Sequence, residues 1–239
     1  MDDTGRLYFR QLRAGRDFAA DDPTAVQMVN FVYLVGDRDT GDCLVVDPAY
    51  AIDELLALVD ADGMHVAGVI ATHYHPDHIG GALMAGHLIE GVPDLLERVP
   101  CPVHVQGAEV PWVSRTIGLS ESELTAHGPG DTVAVGEVEV TLLHTPGHTP
   151  GSQCVLVDGM VLTGDTLFLD GCGRTDFPGG DPEVMYDSLQ RLAALPDGTV
   201  VYPGHHYSPP SRGTIETVRQ QNYVYQPRSK AEWLTMLGR

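Results

Sequence analysis

This sequence is poor in positive charge. It has 14 Lys and Arg against 33 Asp and Glu, a formal net charge of −19, and a single lysine, Lys230. Phosphate backbones and anionic lipid surfaces attract clusters of Lys and Arg, which are missing here. We therefore expect neither nucleic acid nor a membrane surface as a partner.

Cysteines are few and apolar runs are short. The four cysteines lie far apart and form no Cys-x-x-Cys pair, which argues against a disulfide framework or a zinc ribbon and favours reduced thiols. No stretch approaches the roughly 18 apolar residues of a membrane span, and the N-terminus lacks a basic segment followed by an apolar run. These absences predict a soluble, cytoplasmic protein.

The remaining composition is typical of a globular domain. Of the 239 residues, 43% are hydrophobic and 20% charged, and the 27 glycines and 17 prolines follow no period. A chain of this length buries roughly 70–75% of the surface that it exposes when unfolded. A single domain over residues 1–239 therefore accounts for the whole chain.

Two halves of the chain show the same order of predicted elements. Each half has a β-hairpin that ends in an acid (Asp47 or Asp165), then a helix, then a short apolar strand that runs into a histidine. The predicted ranges are 26–36, 43–47, 52–62 and 66–72 in the first half, and 133–143, 153–157, 160–164, 183–195 and 200–202 in the second. This order predicts an α/β fold, a four-layer αββα sandwich with an internal two-fold pseudo-repeat and the site along the shared edge.

Two segments fit this plan less well. Region 82–125 is rich in glycine and proline, with a predicted helix at 94–98 and Pro111-Trp112 in a loop. It follows a strand of the site, so we expect either a lid over the site or a structural insertion that covers the sheet. Residues 208–239 form a short C-terminal extension.

The densest chemical signal is the sequence THYHPDH at 72–78, directly after a predicted strand. A turn that leaves a strand can point alternate residues, His73 and His75, at one position, while Asp77 and His78 face a second position nearby. Neutral imidazoles and carboxylates are ligands for zinc, iron and manganese. The spacing therefore predicts two adjacent metal ions, with a solvated histidine-rich turn as the alternative.

Three further motifs lie at turns that are predicted to face the same edge. They are TPGHTPG at 145–151, TGDT at 163–166 and YPGH at 202–205. His148 is the expected third ligand of the first ion, and His205 is expected to complete the second ion with Asp77 and His78. Asp165 is expected to bridge both ions, because a buried carboxylate is costly unless it is paired or coordinates a metal.

These motifs, with TPGHTPGS at 145–152, TGDTLF at 163–168 and YPGHHY at 202–207, resemble the metallo-β-lactamase superfamily over most of the chain. Within it, GDTLFLDGCGRTDFPGGD at 164–181 is similar to glyoxalase II (hydroxyacylglutathione hydrolase) and to the persulfide dioxygenases. The resemblance implies the same two ligand sets: His73, His75 and His148 for the first ion, Asp77, His78 and His205 for the second, and Asp165 between them.

The resemblance also implies roles for residues outside the ligand sets. It implies that Asp47 supports the metal-binding loop from behind the ligands, with a turn or helix cap before Pro48 as the alternative. It implies that Arg174 and Tyr207 contact a thiol substrate. The alternatives are pairing of Arg174 with a neighbouring Asp and simple packing of Tyr207.

The activity that this resemblance implies is hydrolysis of a thioester of a small thiol through a metal-bridging hydroxide, with Asp77 orienting or deprotonating the attacking water. The expected cofactor is two divalent ions, zinc first, with iron or manganese as alternatives. The expected partner is a small-molecule thioester, and a homo-oligomer is compatible with the sequence. A mononuclear iron persulfide dioxygenase that uses His73, His148 and Asp165 is the alternative activity, and a lactonase-type metallohydrolase is the second.

Overall fold

The computed structural model describes residues 5–83 and 86–237. Residues 1–4, 84–85 and 238–239, which belong to the expected domain, to region 82–125 and to the extension 208–239, lie outside the described residues. The strands are β1 Leu7–Arg13, β2 Phe31–Asp37, β3 Asp42–Val46, β4 His65–Ile70, β5 Gly81–Ala82, β6 Leu88–Ile89, β7 Val103–Gln106, β8 Leu124–His127, β9 Thr132–Val135, β10 Val138–His144, β11 Gln153–Val157, β12 Met160–Gly164, β13 Val200–Pro203 and β14 Gly213–Thr214. The helices are α1 Pro23–Met28, α2 Ile52–Ala61, α3 Pro76–Ile79, α4 Val92–Arg98, α5 Val110–Ile117, α6 Pro182–Ala193, α7 Ile215–Gln221 and α8 Lys230–Met236.

Two six-stranded sheets carry the fold. Their strand orders are β1-β2-β3-β4-β7-β8 and β14-β13-β12-β11-β10-β9. In the first sheet the hairpin β2–β3 is followed by α2 and by β4, which pairs parallel to β3. In the second, the hairpin β11–β12 is followed by α6 and by β13, which pairs parallel to β12. This repetition confirms the predicted two-fold pseudo-repeat.

The core is divided among three interfaces between four layers. On β2, alternate residues face opposite ways, so Phe31 and Tyr33 pack between the sheets while Val32 and Leu34 pack toward the helices. Helices α1, α2, α4 and α5 cover the first sheet, and α6, α7 and α8 cover the second. Because both faces of each sheet are buried, the central strands are almost wholly apolar. The predicted αββα sandwich is confirmed.

Several boundaries and elements differ from the sequence-based predictions. Residues 26–28 belong to α1, not to a strand, because Pro23 opens the helix and the Asp22 carboxylate accepts from the N–H of Thr24 at 2.7 Å. Pro111-Trp112, predicted in a loop, lies in α5, where a proline in the first turn costs no hydrogen bond. Strand β1 was not predicted. It lies at the edge of its sheet and has a mixed burial pattern.

Region 82–125 is mostly part of the first sheet and its helices. It contributes β7 and β8 to the sheet, and α4 covers the predicted helix 94–98. Only Ala82 and Leu83, among its described residues, line the cavity described below. The described part of the C-terminal segment, 208–237, adds β14 to the second sheet and α7 and α8 to its helical layer. The four cysteines are free thiols, and no helix within the described ranges is long and apolar enough to cross a membrane.

A pair of histidines in the first sheet, of which His104 is buried, gives a prediction for how stability depends on pH. Nδ1 of His104 lies 2.9 Å from Nε2 of His127, and burial, followed by the charge of His127, lowers the pKa of His104 to about 4. The unfolded chain binds this proton near pH 6.5, so the unfolded state holds more protons between about pH 6.5 and 4. Stability therefore falls as the pH falls through that window.

Between pH 7 and pH 5 the free energy of unfolding should fall less in His104→Gln than in the wild type. The expected difference between the two falls is about 1–2 kcal/mol, after allowance for the partial exposure of the pair. Urea unfolding at the two pH values measures this difference. His65→Gln, an exposed histidine of the same sheet, is the matched control and should follow the wild type. An equal loss in all three proteins would show that His104 is not responsible.

Candidate metal centre

The predicted ligands lie in loops that follow strands, at one edge shared by both sheets. In the first sheet, the turn after β4 carries His73 and leads into α3, whose N-terminal cap is His75. In the second sheet, Asp165 follows β12 directly and His205 lies two residues after β13. His148 lies in the loop between β10 and β11. The equivalent ends of the two halves thus supply one site.

The first group of side chains, cluster one, consists of His73, His75 and His148. Nε2 of His73 lies 3.1 Å from Nδ1 of His75, and Nε2 of His148 lies 3.0 Å from the same atom. His73 and His148 are buried. Three imidazole nitrogens thus converge on one point, as the sequence predicts.

The second group, cluster two, consists of Asp77, His78 and His205, all of them buried. The Nε2 atoms of the two histidines lie 3.1 Å apart. Oδ2 of Asp77 lies 3.5 Å from Nε2 of His78 and 3.4 Å from Nε2 of His205. One carboxylate oxygen and two nitrogens therefore face a second point.

Asp165 lies between the two clusters. Its Oδ1 is 3.4 Å from Nε2 of both His78 and His205, whereas its Oδ2 is 3.7 Å from Nε2 of His148. Oδ1 is buried and has no hydrogen-bond partner. A buried carboxylate oxygen without a donor is strongly destabilising unless a cation compensates it. The position of Asp165 therefore fits a ligand shared by two metal ions.

The ring nitrogens that point away from the clusters establish the tautomers. Four of the five have an oxygen acceptor: Asp47 Oδ2 for His78 at 2.9 Å, the Met28 carbonyl for His205 at 2.8 Å, the Arg174 carbonyl for His148 at 2.6 Å and Thr72 Oγ1 for His73 at 3.0 Å. Because Nδ1 carries the proton in each of these rings, Nε2 presents its lone pair to the cluster. Nitrogen atoms that face one another at such distances fit the ligands of a shared divalent cation.

Asp47 supports ligands of both clusters. Its Oδ1 accepts from the N–H of Thr72 at 2.7 Å, and its Oδ2 accepts from the Thr72 hydroxyl at 2.6 Å and from His78. The Thr72 hydroxyl in turn accepts from Nδ1 of His73. Asp47 has a φ of +56°, a strained conformation outside glycine that clusters at functional sites. The structure thus places Asp47 behind the metal-binding loop, and the cap of α2 is Ala51 instead.

Burial and neighbouring charges shift the pKa values of the histidines in opposite directions in the two clusters. Burial holds the pKa of His73 well below its usual range and lowers that of His75 to about 4. For His78, burial alone would lower the pKa, but the carboxylates of Asp77 and Asp165 outweigh it and hold the pKa well above its usual value. Cluster one therefore favours neutral rings, which are ready to coordinate, whereas cluster two has a negative field that attracts cations.

Sequence reasoning missed Asn30 and Tyr50, which are buried beside cluster two. Nδ2 of Asn30 donates to Oδ2 of Asp77 at 3.1 Å, and Oδ1 of Asn30 accepts from the Tyr50 hydroxyl at 3.0 Å. Asn30 also forms an isolated β-bridge with His205. The two residues thus hold the Asp77 carboxylate in place. Neither belongs to a local motif, because their partners are distant in sequence.

Sequence reasoning also missed Glu109, a buried carboxylate at the start of α5. Its Oε1 accepts from the N–H of Tyr74 at 2.8 Å, and its Oε2 accepts from the N–H of Gly151 at 2.6 Å. The Thr149 side chain is a further donor, although burial outweighs all three bonds and raises the pKa of Glu109. Glu109 therefore joins the loop that carries His73 and His75 to the loop that carries His148.

A cavity of about 730 Å³ opens above both clusters. The predicted substrate-contacting residues Arg174 and Tyr207 both line it. Tyr207 stacks on the ring of His205, with ring centres 4.7 Å apart and an angle of 6° between the planes. Arg174 makes two hydrogen bonds to Asp176, so the alternative that the sequence left open for it also occurs. The structure thus brings every predicted site residue to one place.

Comparison with known proteins shows which family this chain resembles in sequence. The family model described as "Metallo-beta-lactamase superfamily" matches residues 26–205. A probable polyketide biosynthesis zinc-dependent hydrolase, BaeB, from Bacillus velezensis is 28% identical, over 88% of this chain and 88% of that protein. A hydroxyacylglutathione hydrolase from Rhodospirillum rubrum is 34% identical, over 86% of this chain and 73% of that protein.

Other similar proteins are of another reaction class. The mitochondrial persulfide dioxygenase ETHE1 of Bos taurus is 30% identical, over 80% of this chain and 70% of that protein. The crystal structure of ETHE1 from Myxococcus xanthus has a TM-score of 0.77 at 30% identity and covers 97% of this chain and 90% of that chain. The comparisons therefore support a metal-binding enzyme fold and leave two chemistries open.

Proposed function

We propose that this chain, which belongs to the metallo-β-lactamase superfamily, is a metal-dependent hydrolase that cleaves the thioester of a small thiol. The observation that carries the proposal is the pair of ligand clusters with Asp165 between them. Two relatives with hydrolase names, one of them similar over nearly the full length of both chains, support it. Zinc is the proposed metal, with iron and manganese as alternatives.

Two divalent ions, when bound, supply a Lewis acid for the thioester carbonyl and lower the pKa of the attacking water toward neutrality. The residues of the chain hold and orient the reactants. Asp77 lines the cavity and is held by Asn30 at 3.1 Å, so we propose that it orients the attacking water and takes up its proton. A leaving thiolate has a free pKa of about 8.5 and needs little assistance from an acid.

A cysteine nucleophile does not fit the cavity. Cys172 lies in its wall, but burial raises the pKa of this thiol to about 12. The thiolate is the reactive form of cysteine, and it is scarce at neutral pH for this residue. Activated water is therefore the nucleophile that the site supports best.

A mononuclear iron persulfide dioxygenase is the second candidate, and the similarity to ETHE1 over nearly the full length of both chains favours it. His73, His148 and Asp165 would then form a two-histidine, one-carboxylate face for iron. Cluster two would be a remnant of the fold in that case. The two candidates therefore differ in the number and kind of bound ions.

Elemental analysis of the protein purified without added metal or chelator tests the proposal. We expect two divalent ions per chain, hydrolysis of a butyryl thioester, and a loss of roughly 1000-fold or more in kcat/KM on chelation, reversed by zinc. One iron per chain, with oxygen uptake on a persulfide and no thiol release from the thioester, would establish the dioxygenase instead. Two ions with cleavage of a lactone but of no thioester would favour a lactonase.

A further inference from the structure

The cavity above the metal ligands is walled by aromatic rings. Phe177 lies 5.3 Å from the ring of His75, and Phe168 lies 5.1 Å from the ring of Tyr207. The aromatic residues of the lining are Tyr74, Phe168, Phe177, Tyr207 and Tyr223. Three of them, Phe177, Tyr207 and Tyr223, are also among the large exposed hydrophobic residues. An apolar wall thus runs from the ligands to the solvent.

The charges of this wall do not favour an anion. Arg174 is the sole Lys or Arg among the described residues that line the cavity. Its guanidinium donates twice to the Asp176 carboxylate, at 2.9 and 2.7 Å, and lies 4.5 Å from the ring centre of Phe177. Asp170 is a further carboxylate of the lining. Outside the two clusters, the positive charge is therefore already compensated and negative charge remains.

A thiol that carries carboxylates, such as glutathione, needs cationic partners when it leaves water, because an unpaired charge is costly to desolvate. This wall has no uncompensated cation to offer. It offers rings for apolar groups, and the tyrosine hydroxyls of Tyr207 and Tyr223 for neutral polar groups such as amides. The volume of about 730 Å³ accommodates an elongated ligand.

We propose that the cavity takes thioesters of an uncharged, elongated thiol with amide and apolar groups, and disfavours those of a carboxylate-bearing peptide thiol. This inference rests on the proposed thioester hydrolysis and specifies its substrate class. It separates this chain from the hydroxyacylglutathione hydrolases to which it is similar.

The test compares two substrates with the same acyl group, S-butyrylpantetheine and S-butyrylglutathione. We expect kcat/KM to be at least 10-fold higher for the pantetheine thioester, mainly through a lower KM. Calorimetry with the uncleavable S-butyl thioethers of the same thiols measures binding alone. The pantetheine thioether should bind at least 10-fold more tightly.

Removal of the carboxylate that pairs with Arg174 should narrow the difference in kcat/KM between the two thioesters. In Asp176→Asn, Arg174 loses its ion pair and becomes available to an anion, so kcat/KM for the glutathione thioester should rise about 3- to 10-fold. The value for the pantetheine thioester should stay within 2-fold. Asp197→Asn is the matched control, because Asp197 pairs with Arg219 outside the cavity lining.

The outcomes separate the inference from the proposed function. Equal or tighter binding of the glutathione thioether, or equal hydrolysis of both thioesters, would overturn the inference and leave thioester hydrolysis intact. Failure of both thioethers to bind would also overturn it. Preferential binding of the pantetheine thioether without hydrolysis of either thioester would support the stated ligand class and overturn the proposed hydrolysis.

Discussion

Asp165→Ala is expected to remove metal from both clusters and to lower kcat/KM by roughly 1000-fold or more, which corresponds to about 4 kcal/mol of transition-state stabilisation. The reason is the position of the carboxylate, with Oδ1 toward His78 and His205 and Oδ2 toward His148. Its removal would take one ligand from the ion that each cluster would hold. Elemental analysis and the thioester assay on the same preparation measure both effects.

Asp60→Ala is the control for this variant. Asp60 is an exposed acid on α2, outside the cavity lining. The control should keep two ions per chain and full activity. If Asp165→Ala retained two tightly bound ions, Asp165 would not be a shared ligand, and the second candidate activity would need another carboxylate as well.

Glu109→Gln is expected to weaken metal binding at cluster one by roughly 10- to 100-fold, with a similar loss of kcat/KM. Glu109 accepts from the N–H groups of Tyr74 and Gly151, so an amide in its place turns one acceptor into a donor that faces an N–H group. We also expect the free energy of unfolding to fall by about 1–3 kcal/mol. Metal titration and urea unfolding measure the two effects separately.

Glu139→Gln is the matched control for Glu109, because Glu139 is an exposed glutamate on β10. It should alter neither metal affinity nor unfolding. A purely structural role for Glu109 would lower stability without weakening metal binding by the folded protein. That result would contradict the positioning role, because the replacement of a residue that positions the metal-binding side chains must change their affinity for the metal.

The sequence predicts best what depends on neighbours in the chain. The hairpin formed by β11 and β12 has the predicted bounds, since Asp158-Gly159 is a strong turn signal between two apolar runs. The helix α6 also agrees within two residues at its C-terminal end. The spacing of apolar residues and the residue types of a turn are local properties, so they can be read from a single segment of the sequence.

The sequence predicts poorly what depends on distant partners. Edge strand β1 is held in the sheet by its antiparallel pairing with β2. Its buried and half-buried residues do not alternate regularly, so its sequence alone is a weak signal for a strand. Glu109 bonds to residues 35 and 42 positions away, and Asn30 to a residue 47 positions away. The histidines of the two clusters could be brought together from the sequence because their motifs are dense. Their supporting residues are single side chains that only the tertiary fold brings to the site.

The origin of the ligands in the chain has a consequence for protein abundance. Cluster one combines His73 and His75 from the first half with His148 from the second, and cluster two combines Asp77 and His78 with His205. An ion held by either cluster would therefore tie the two halves together, and its binding free energy would add to that of folding, by about 4 kcal/mol when free metal exceeds the Kd 1000-fold. A cell starved of metal would accordingly lose this protein to proteolysis, and not only its activity.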